Sequence, residues 1–232
     1  MSSQVVVPGL SSVDQGLAAL RAGLPVLVLD DVDRENEGDV VLAAQTITPR
    51  WTGWTIRHSS GYLCAPMPAD WADRLGLPPM VEQNEDALRT AYAITVDVAE
   101  GVTTGISATD RCRTVAALGN PSTVATDLRR PGHVVPLRAR PGGVLARRGH
   151  TEAAVDLCVL AGLTPVAAIA ELVDDEGEML RTTQVLALGA EHDLPVLTIE
   201  QLVAHRRELD RRPPPGAEDE PHPTTEHTRR RT

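Results

Sequence analysis

The chain contains no phenylalanine and no lysine. Its aromatic side chains are three tryptophans and two tyrosines, so a core for 232 residues has to be built from Val, Leu, Ile and Ala. All 22 basic residues are arginine. A lysine-free chain can form no Schiff base with a carbonyl substrate and carries no Walker-A lysine. Any sugar chemistry performed by such a chain must rely on metal ions and acid–base catalysis. Cysteine is also sparse: Cys64, Cys112 and Cys158 lie far apart and form no CxxC pair. An odd count, with no basic n-region or long apolar h-region at the N-terminus, predicts reduced thiols and a cytoplasmic protein. Nothing in the sequence approaches the length of a membrane span. A formal charge of −10 leaves no electrostatic footprint for nucleic acid or anionic membrane.

Acids are plentiful, and six of them, with Arg34, occupy the ten residues from Asp30 to Asp39. They follow the apolar run Pro25–Leu29, which reads as a buried strand opening into a polar site. Carboxylates at that density repel one another unless a cation, a guanidinium or shared protons offset them. A solvated acidic loop is the plain alternative. A calcium loop of the EF-hand type is excluded by position: counted from Asp31, the turn position that needs Gly holds Asn36, and the closing Glu position holds Leu42. The alternation Asp33, Glu35, Glu37, Asp39 would put several carboxylates on one side of an extended segment, a geometry that suits magnesium and a polyhydroxylated substrate.

The rest of the chain reads as interleaved helices and strands. Ser12–Gln15 matches a capping box before a short helix that stops at Gly23. Val40–Ala44 is a second buried element, and Thr48-Pro49 opens a helix. Gly61–Ala65 reads as a strand ended by Pro66, and Thr95–Val98 as a strand with one face covered. Helices are expected over Ser107–Leu118 and Thr151–Ala161, the latter capped by Thr151. Val166–Leu180 reads as a hairpin turning at Asp174–Gly177. A helix, the strand Pro195–Ile199 and a final helix near Glu200–Leu209 follow. The fold class is therefore α+β, with a mixed sheet covered by helices in a single domain over 1–210. From Arg211 the composition turns to Pro, Glu, His, Thr and Arg without periodicity, so 211–232 reads as a disordered tail.

Four more segments are polar where a core-forming chain would not be. Thr103–Arg111 is a run of small hydroxyl residues entering a helix, readable also as an N-cap and its approach. Arg130-Pro131-Gly132-His133 reads as a tight turn presenting an imidazole, catalytic or solvated. Arg147-Arg148-Gly149-His150-Thr151 precedes a helix, where free N–H groups and the helix dipole favour an anion such as phosphate. Surface charge is the alternative for its two arginines. Glu171 interrupts the apolar run Val166–Val173, where a carboxylate must be paired, coordinated or at a wet edge.

Together these segments resemble the 3,4-dihydroxy-2-butanone-4-phosphate synthase family of riboflavin biosynthesis. The likeness spans Gly23 to Arg206 and rests on Asp33–Asp39, Thr104–Arg111, Arg130–His133 and Gly149–Ala153. The resemblance implies conversion of D-ribulose 5-phosphate to L-3,4-dihydroxy-2-butanone 4-phosphate and formate, by enolisation, dehydration, skeletal rearrangement and loss of C4. It implies Mg²⁺ or Mn²⁺ held by Glu35 and His150, with water and substrate oxygens completing the shell. It also implies substrate contacts from Arg34, Glu35, Asp39, Thr104, Arg147, Arg148, Gly149, His150, Thr151 and Glu171. His133 and Glu171 fall on catalytic positions of the family, with Glu37 and Cys64 within or beside its active-site motifs. A homodimer with active sites near the subunit boundary is implied as well. Two departures stand out: Tyr92 where the family commonly has Phe, and Arg148 where a small residue is common. Many relatives carry a GTP cyclohydrolase II half with a cysteine zinc site, which three dispersed cysteines cannot supply, so the synthase alone is expected. A metal-dependent phosphosugar isomerase or class II aldolase, and a non-catalytic phosphometabolite-binding module, are the rival readings.

Overall fold

The apolar runs become strands buried on both faces. The computed structural model describes residues 9–211. Within them the order is α1 (Val13–Arg21), β1 (Val26–Leu29), β2 (Gly38–Ala43), α2 (Pro49–His58), β3 (Cys64–Pro68), α3 (Ala69–Arg74), β4 (Val96–Val98), α4 (Ala108–Leu118), β5 (Leu128–Ala139), α5 (His150–Leu160), β6 (Ala167–Glu171), α6 (Thr182–His192), β7 (Val196–Thr198) and α7 (Ile199–Arg211). The strands form one seven-stranded sheet in the order β4-β5-β3-β6-β2-β1-β7. It is mixed, as the sequence pattern predicts: β1–β7 and β3–β5 are parallel, while β1–β2, β2–β6, β3–β6 and β4–β5 are antiparallel.

Alternation within each strand divides the core in two. Leu27, Leu29, Val40 and Leu42 point to a layer that includes α4 and α6, with Trp51, Trp54 and Trp71 packed against it. Val26, Val28, Val41 and Ala43 point to the opposite layer, where α1, α5 and α7 lie. A sheet covered on both faces explains why these strands read as continuous apolar runs. Helix α5 is apolar nearly all round because α1 and α7 cover its outer side.

The local expectations fare unevenly. The Ser12–Gln15 capping box is present, with both reciprocal hydrogen bonds formed. Several expectations are corrected. Arg130–His133 is not a tight turn but part of the twelve-residue β5. Its register against β4 slips there, from Val96↔Val134 to Asp97↔Arg129, and the Arg130–Pro131 peptide is cis. Pro and Gly mark a bulge here as readily as a turn. Helix α5 is capped by Gly149, leaving Thr151 one residue inside the helix. Residues 32–35 form turns, and Asn36 has a left-handed φ of 56°, so the acids from Asp33 to Asp39 do not alternate along an extended segment. Strand β3 also runs on through Pro66 to Pro68; β6 pairs with it only at Cys64, which leaves the remainder one-sided and tolerant of residues lacking N–H. The hairpin after β6 is reduced to a single bridge, Val173↔Met179. The apolar Val5–Val7 and the tail expected beyond Arg211 lie outside the described residues.

Helix α5 offers a test of this two-sided core. Leu157 is fully buried and Val159, two residues on, is 56% exposed. Leu157→Ala should lower unfolding free energy by about 2–5 kcal/mol. Val159→Ala should stay within about 0.5 kcal/mol of wild type. Urea unfolding measures both, and equal effects would contradict the burial of α5.

Candidate active site

Strand register brings the polar residues to one edge of the sheet. Leu29 lies opposite Gly38, Asp39 opposite Glu171, and Cys64 opposite Ile169. The C-terminal ends of β1 and β6 and the N-terminal ends of β2 and β3 therefore share that edge. There, a cavity of about 100 Å³ is lined by Arg34, Glu35, Glu37, Asp39, Cys64 and Glu171, with Arg147, His150 and Thr151 from the start of α5. A second cavity of about 490 Å³ lies between α1 and α6, lined by residues such as Ala18, Leu24, Gly189 and Val196. It is larger, but Asp193 is its one charged side chain, so the chemistry favours the smaller cavity.

The acidic loop is folded around Asp30, a residue the sequence reading did not single out. Its Oδ1 accepts the Glu37 N–H at 2.9 Å, and its Oδ2 accepts the Glu35 N–H at 3.1 Å and Arg34 Nη1 at 3.0 Å. Arg34 also donates to Glu35 Oε2 at 2.6 Å. Arg181, likewise unremarked in the sequence, donates to the backbone oxygens of Glu35 and Asn36 from across the loop. Asp33 points to solvent.

His150 closes the other side. Its Nε2 lies 3.1 Å from the Val28 carbonyl, which can only accept, so Nε2 carries the hydrogen. Its Nδ1 faces Asp39 Oδ1 at 3.4 Å and Glu35 Oε2 at 3.6 Å. Asp39 Oδ1 is buried and has no hydrogen-bond partner. Burial pushes Asp39 up to about 7, helped by Glu171, Glu35 and Glu37 and opposed by His150. Burial would lower His150, but Asp39, Glu35 and Asp30 outweigh it and raise the imidazole to about 9. Burial also pushes Glu35 up, yet the close approach of His150 and the charges of Arg34 and His150 bring it below the ordinary carboxylate value. Glu37 is raised by burial and by the charges of Glu35 and Glu171.

The remaining groups are more constrained than their types suggest. Ser60 holds Glu171, donating its Oγ to Glu171 Oε2 at 2.8 Å and its N–H to the Glu171 carbonyl at 2.8 Å. Burial raises the Cys64 thiol well above its ordinary value, which keeps it neutral. Arg147 pairs with the buried Glu152 at 2.8 Å and reaches Leu88 O and Thr90 Oγ1. Gly149 makes room for that guanidinium: a Cβ there would stand 2.2 Å from Arg147 Nη1. Arg148 is turned outward to Glu200 at 2.6 Å and Asp31 at 3.5 Å and does not line the cavity. Thr104 and His133 are exposed and lie outside the lining as well.

The donor set suits a hard divalent cation: carboxylate oxygens, one imidazole nitrogen with its tautomer fixed, and a buried oxygen with no hydrogen-bond partner. Among the described residues, no three or more His, Cys, Asp or Glu side chains converge to hold a metal ion by themselves. Glu35 and His150 would supply two ligands and leave the rest to water and substrate.

Comparison with known proteins fits this geometry. The family model for 3,4-dihydroxy-2-butanone 4-phosphate synthase matches residues 14–205. The chain belongs to the 3,4-dihydroxy-2-butanone 4-phosphate synthase family. It is 51% identical over 197 residues to the 3,4-dihydroxy-2-butanone 4-phosphate synthase of Proteus mirabilis, covering 85% of this chain and 91% of that protein. It is 52% identical over 200 residues to the riboflavin biosynthesis protein RibBA of Salinispora arenicola. That match covers 86% of this chain and 48% of the relative, so the chain spans about half the length of the RibBA proteins it matches. A solved 3,4-dihydroxy-2-butanone 4-phosphate synthase in complex with two magnesium ions superposes with a TM-score of 0.84 at 44% identity, covering 86% of this chain and 98% of that one.

The raised pKa values of Asp39 and His150 set the pH response of this family member when stripped of metal. The folded state holds a proton on His150 up to about 9, against 6.5 for a free imidazole. The resulting stabilisation is fully present below 6.5 and is lost as pH rises through about 9. Asp39, raised to about 7 from 3.8, acts in the same direction. In EDTA the melting temperature should therefore fall between pH 6.5 and 9. A divalent cation held by His150 in place of that proton would flatten the fall, and His150→Gln should shrink it. A melting temperature that rises over this interval in EDTA would contradict the assignment.

Proposed function

We propose that the chain is a lyase that converts D-ribulose 5-phosphate to L-3,4-dihydroxy-2-butanone 4-phosphate and formate, supplying riboflavin biosynthesis in the cytoplasm. The observation that carries this reading is the convergence of Arg34, Glu35, Glu37, Asp39, His150 and Glu171 on one cavity in a chain of this family. The cytoplasmic placement is supported by three cysteines that are all buried and unpaired. No helix among the described residues is long and apolar enough to cross a membrane.

In this reading Glu35 and His150 Nδ1 hold Mg²⁺ or Mn²⁺. When bound, the ion polarises the C2 carbonyl and orders the sugar hydroxyls. Glu37, raised by burial and its acidic neighbours, is suited to take the C3 proton and return one later. Glu171, fixed by Ser60, is held at the same edge for the later proton transfers. The neutral Cys64 thiol packs beside them and acts as no thiolate. The phosphate is received by the first N–H groups of α5 at His150 and Thr151 with Arg147 beside them. Arg34 is committed to Asp30 and Glu35 and keeps the acidic loop closed on the sugar. Every step is proton transfer or carbonyl polarisation, so a lysine-free chain suffices.

Thr104 and His133 belong to the same reading through a homodimer whose sites lie near the subunit boundary. Support comes from two exposed apolar side chains: Tyr62, edge-on to Tyr92 of the cavity lining, and Ile106, next in sequence to the Gly105 that packs against His133.

Formate release from D-ribulose 5-phosphate tests the function. Formate should appear in step with substrate loss, stop in EDTA and resume with Mg²⁺. Consumption without formate would point to an isomerase or aldolase, and saturable binding without turnover to a binding module. Glu35→Gln should raise the Mg²⁺ concentration needed by at least roughly 10-fold. With Glu37→Gln, solvent deuterium should no longer enter C3; exchange persisting at the wild-type rate would remove Glu37 as the first base. Arg148→Ala, which loses only the contacts to Glu200 and Asp31, should leave KM for the substrate unchanged.

A further inference from the structure

His133 is held differently from the cavity residues, by a carboxylate that neither the motifs nor the cavity brings forward. The register slip between β4 and β5 turns Asp97 toward the bulged segment Arg130–His133. Asp97 Oδ1 accepts the His133 backbone N–H at 2.9 Å, and Asp97 Oδ2 meets His133 Nδ1 at 2.7 Å. Both carboxylate oxygens are thus directed at one residue. The Asp97 side chain is 12% exposed, whereas that of His133 is 40% exposed. The acid is therefore enclosed and the imidazole is presented outward from it.

Two glycines allow this arrangement. Gly132 lies so close to the β4 backbone that a Cβ would stand 2.1 Å from Val96 C and 2.2 Å from Asp97 N. From the other side, the loop before α4 lays Gly105 against the pair. A Cβ on Gly105 would stand 2.2 Å from Asp97 Oδ2 and 2.6 Å from His133 Nδ1, and its φ of +92° favours glycine independently. That loop is itself anchored, because Asp110 Oδ2 accepts from the N–H groups of Thr103 and Gly105 and from the Thr103 hydroxyl. Thr95 Oγ1 accepts the Gly132 N–H and completes the frame.

We infer that Asp97 is a positioning residue for His133: it fixes the imidazole as the Nδ1–H tautomer and leaves Nε2 free to exchange a proton with substrate. The inference rests on the proposed function and on the catalytic position that the family resemblance gives His133. An ionised carboxylate can only accept, so a neutral ring facing it at 2.7 Å carries its hydrogen on Nδ1. The lone pair then sits on Nε2. When Nε2 takes a proton, the imidazolium forms against a carboxylate already in place, and no group has to reorient. A proton taken at Nε2 in one step is thereby available for return at a later one.

The test pairs a spectroscopic readout with kinetics, using the full chain with Mg²⁺. In ¹⁵N NMR at a pH where the ring is neutral, the histidine absent from His133→Gln should show a protonated Nδ1 and an unprotonated Nε2. Asp97→Asn should convert it to a mixture of tautomers. The same variant should lower kcat for D-ribulose 5-phosphate by about 10²-fold, with KM little changed. Asp97→Glu should recover much of that loss, and Asp97→Asn/His133→Gln should be no slower than His133→Gln alone. Circular dichroism shows whether each variant is folded, and should Asp97→Asn not fold, the wild-type tautomer and Asp97→Glu carry the test. An Nε2–H tautomer in the wild type overturns the inference. So does an Asp97→Asn enzyme with wild-type kcat when His133→Gln is inactive. If His133→Gln itself turns over normally, the proposed role of His133 fails instead, and the tautomer readout still decides whether Asp97 positions the ring.

Discussion

The carboxylate of Asp30 is the constraint on which the active-site edge depends. It is buried at the end of β1, and its two oxygens accept two backbone N–H groups from the loop that follows, together with the Arg34 guanidinium. A buried carboxylate left without such partners would be costly. Here those partners form the loop, so the charge and the turn are satisfied together. Releasing Asp30 would free Glu35 and Glu37 at once, because their own N–H groups are what it holds. The loop needs this internal anchor because acids at such density do not pack by themselves.

With the loop fixed, like charges crowd at one edge and the chain offsets them in three ways. Arg34 and Arg181 supply guanidinium contacts from within and across the loop. His150 is raised to about 9 and lends positive charge between Glu35 and Asp39. Asp39, raised to about 7, can hold a proton where Glu35 does not. A divalent cation would replace the proton on His150 and settle the carboxylates more fully than either arginine, since Asp39 Oδ1 has no hydrogen-bond partner. Such a substitution of metal for proton would tie stability to metal binding at this edge.

Much of this was legible in the sequence, and the parts that were not share a physical reason. The buried strands and the first capping box follow from apolar runs and cap residues, which are local signals, while the grouping of Glu35, Asp39, His150 and Glu171 came from the resemblance of their motifs to the family. Asp97, Ser60 and Arg181 are ordinary residues in ordinary surroundings by sequence. Each gains its role from a partner far along the chain: His133, Glu171 and the Glu35–Asn36 carbonyls. Arg130–His133 misled because Pro-Gly marks turns and bulges alike, and only pairing with β4 distinguishes them. Arg148 misled by adjacency, since a residue just before a helix can face the anion site or the solvent. Glu200 on α7 decides that it faces outward.

The absence of lysine is felt throughout the fold as well as in the chemistry. Arginine presents five donors in a rigid planar fork and stays charged, so one side chain can bind carbonyls spread wider than the compact ammonium of a lysine would span. Arg130 donates to the carbonyls of Leu75, Gly76, Ala125 and Leu128 and so braces β5 just before its bulge. Arg74 joins the carbonyls of Pro121 and Thr123 in the connection between α4 and β5, and Arg21 takes those of Leu160 and Ala161 at the end of α5. Arg147 joins the buried Glu152 to the segment at Leu88 and Thr90 that walls the cavity. Glu152 and Asp156 of α5 in turn accept the N–H groups of Arg140 and Val144, holding in place the stretch that leads into the helix. The start of α5, which carries His150 and the free N–H groups beside it, is therefore positioned by guanidinium forks on one side and by its own buried acids on the other. A chain so poor in aromatic anchors ties its loops together with these polar clamps, and the candidate active-site edge is built on them.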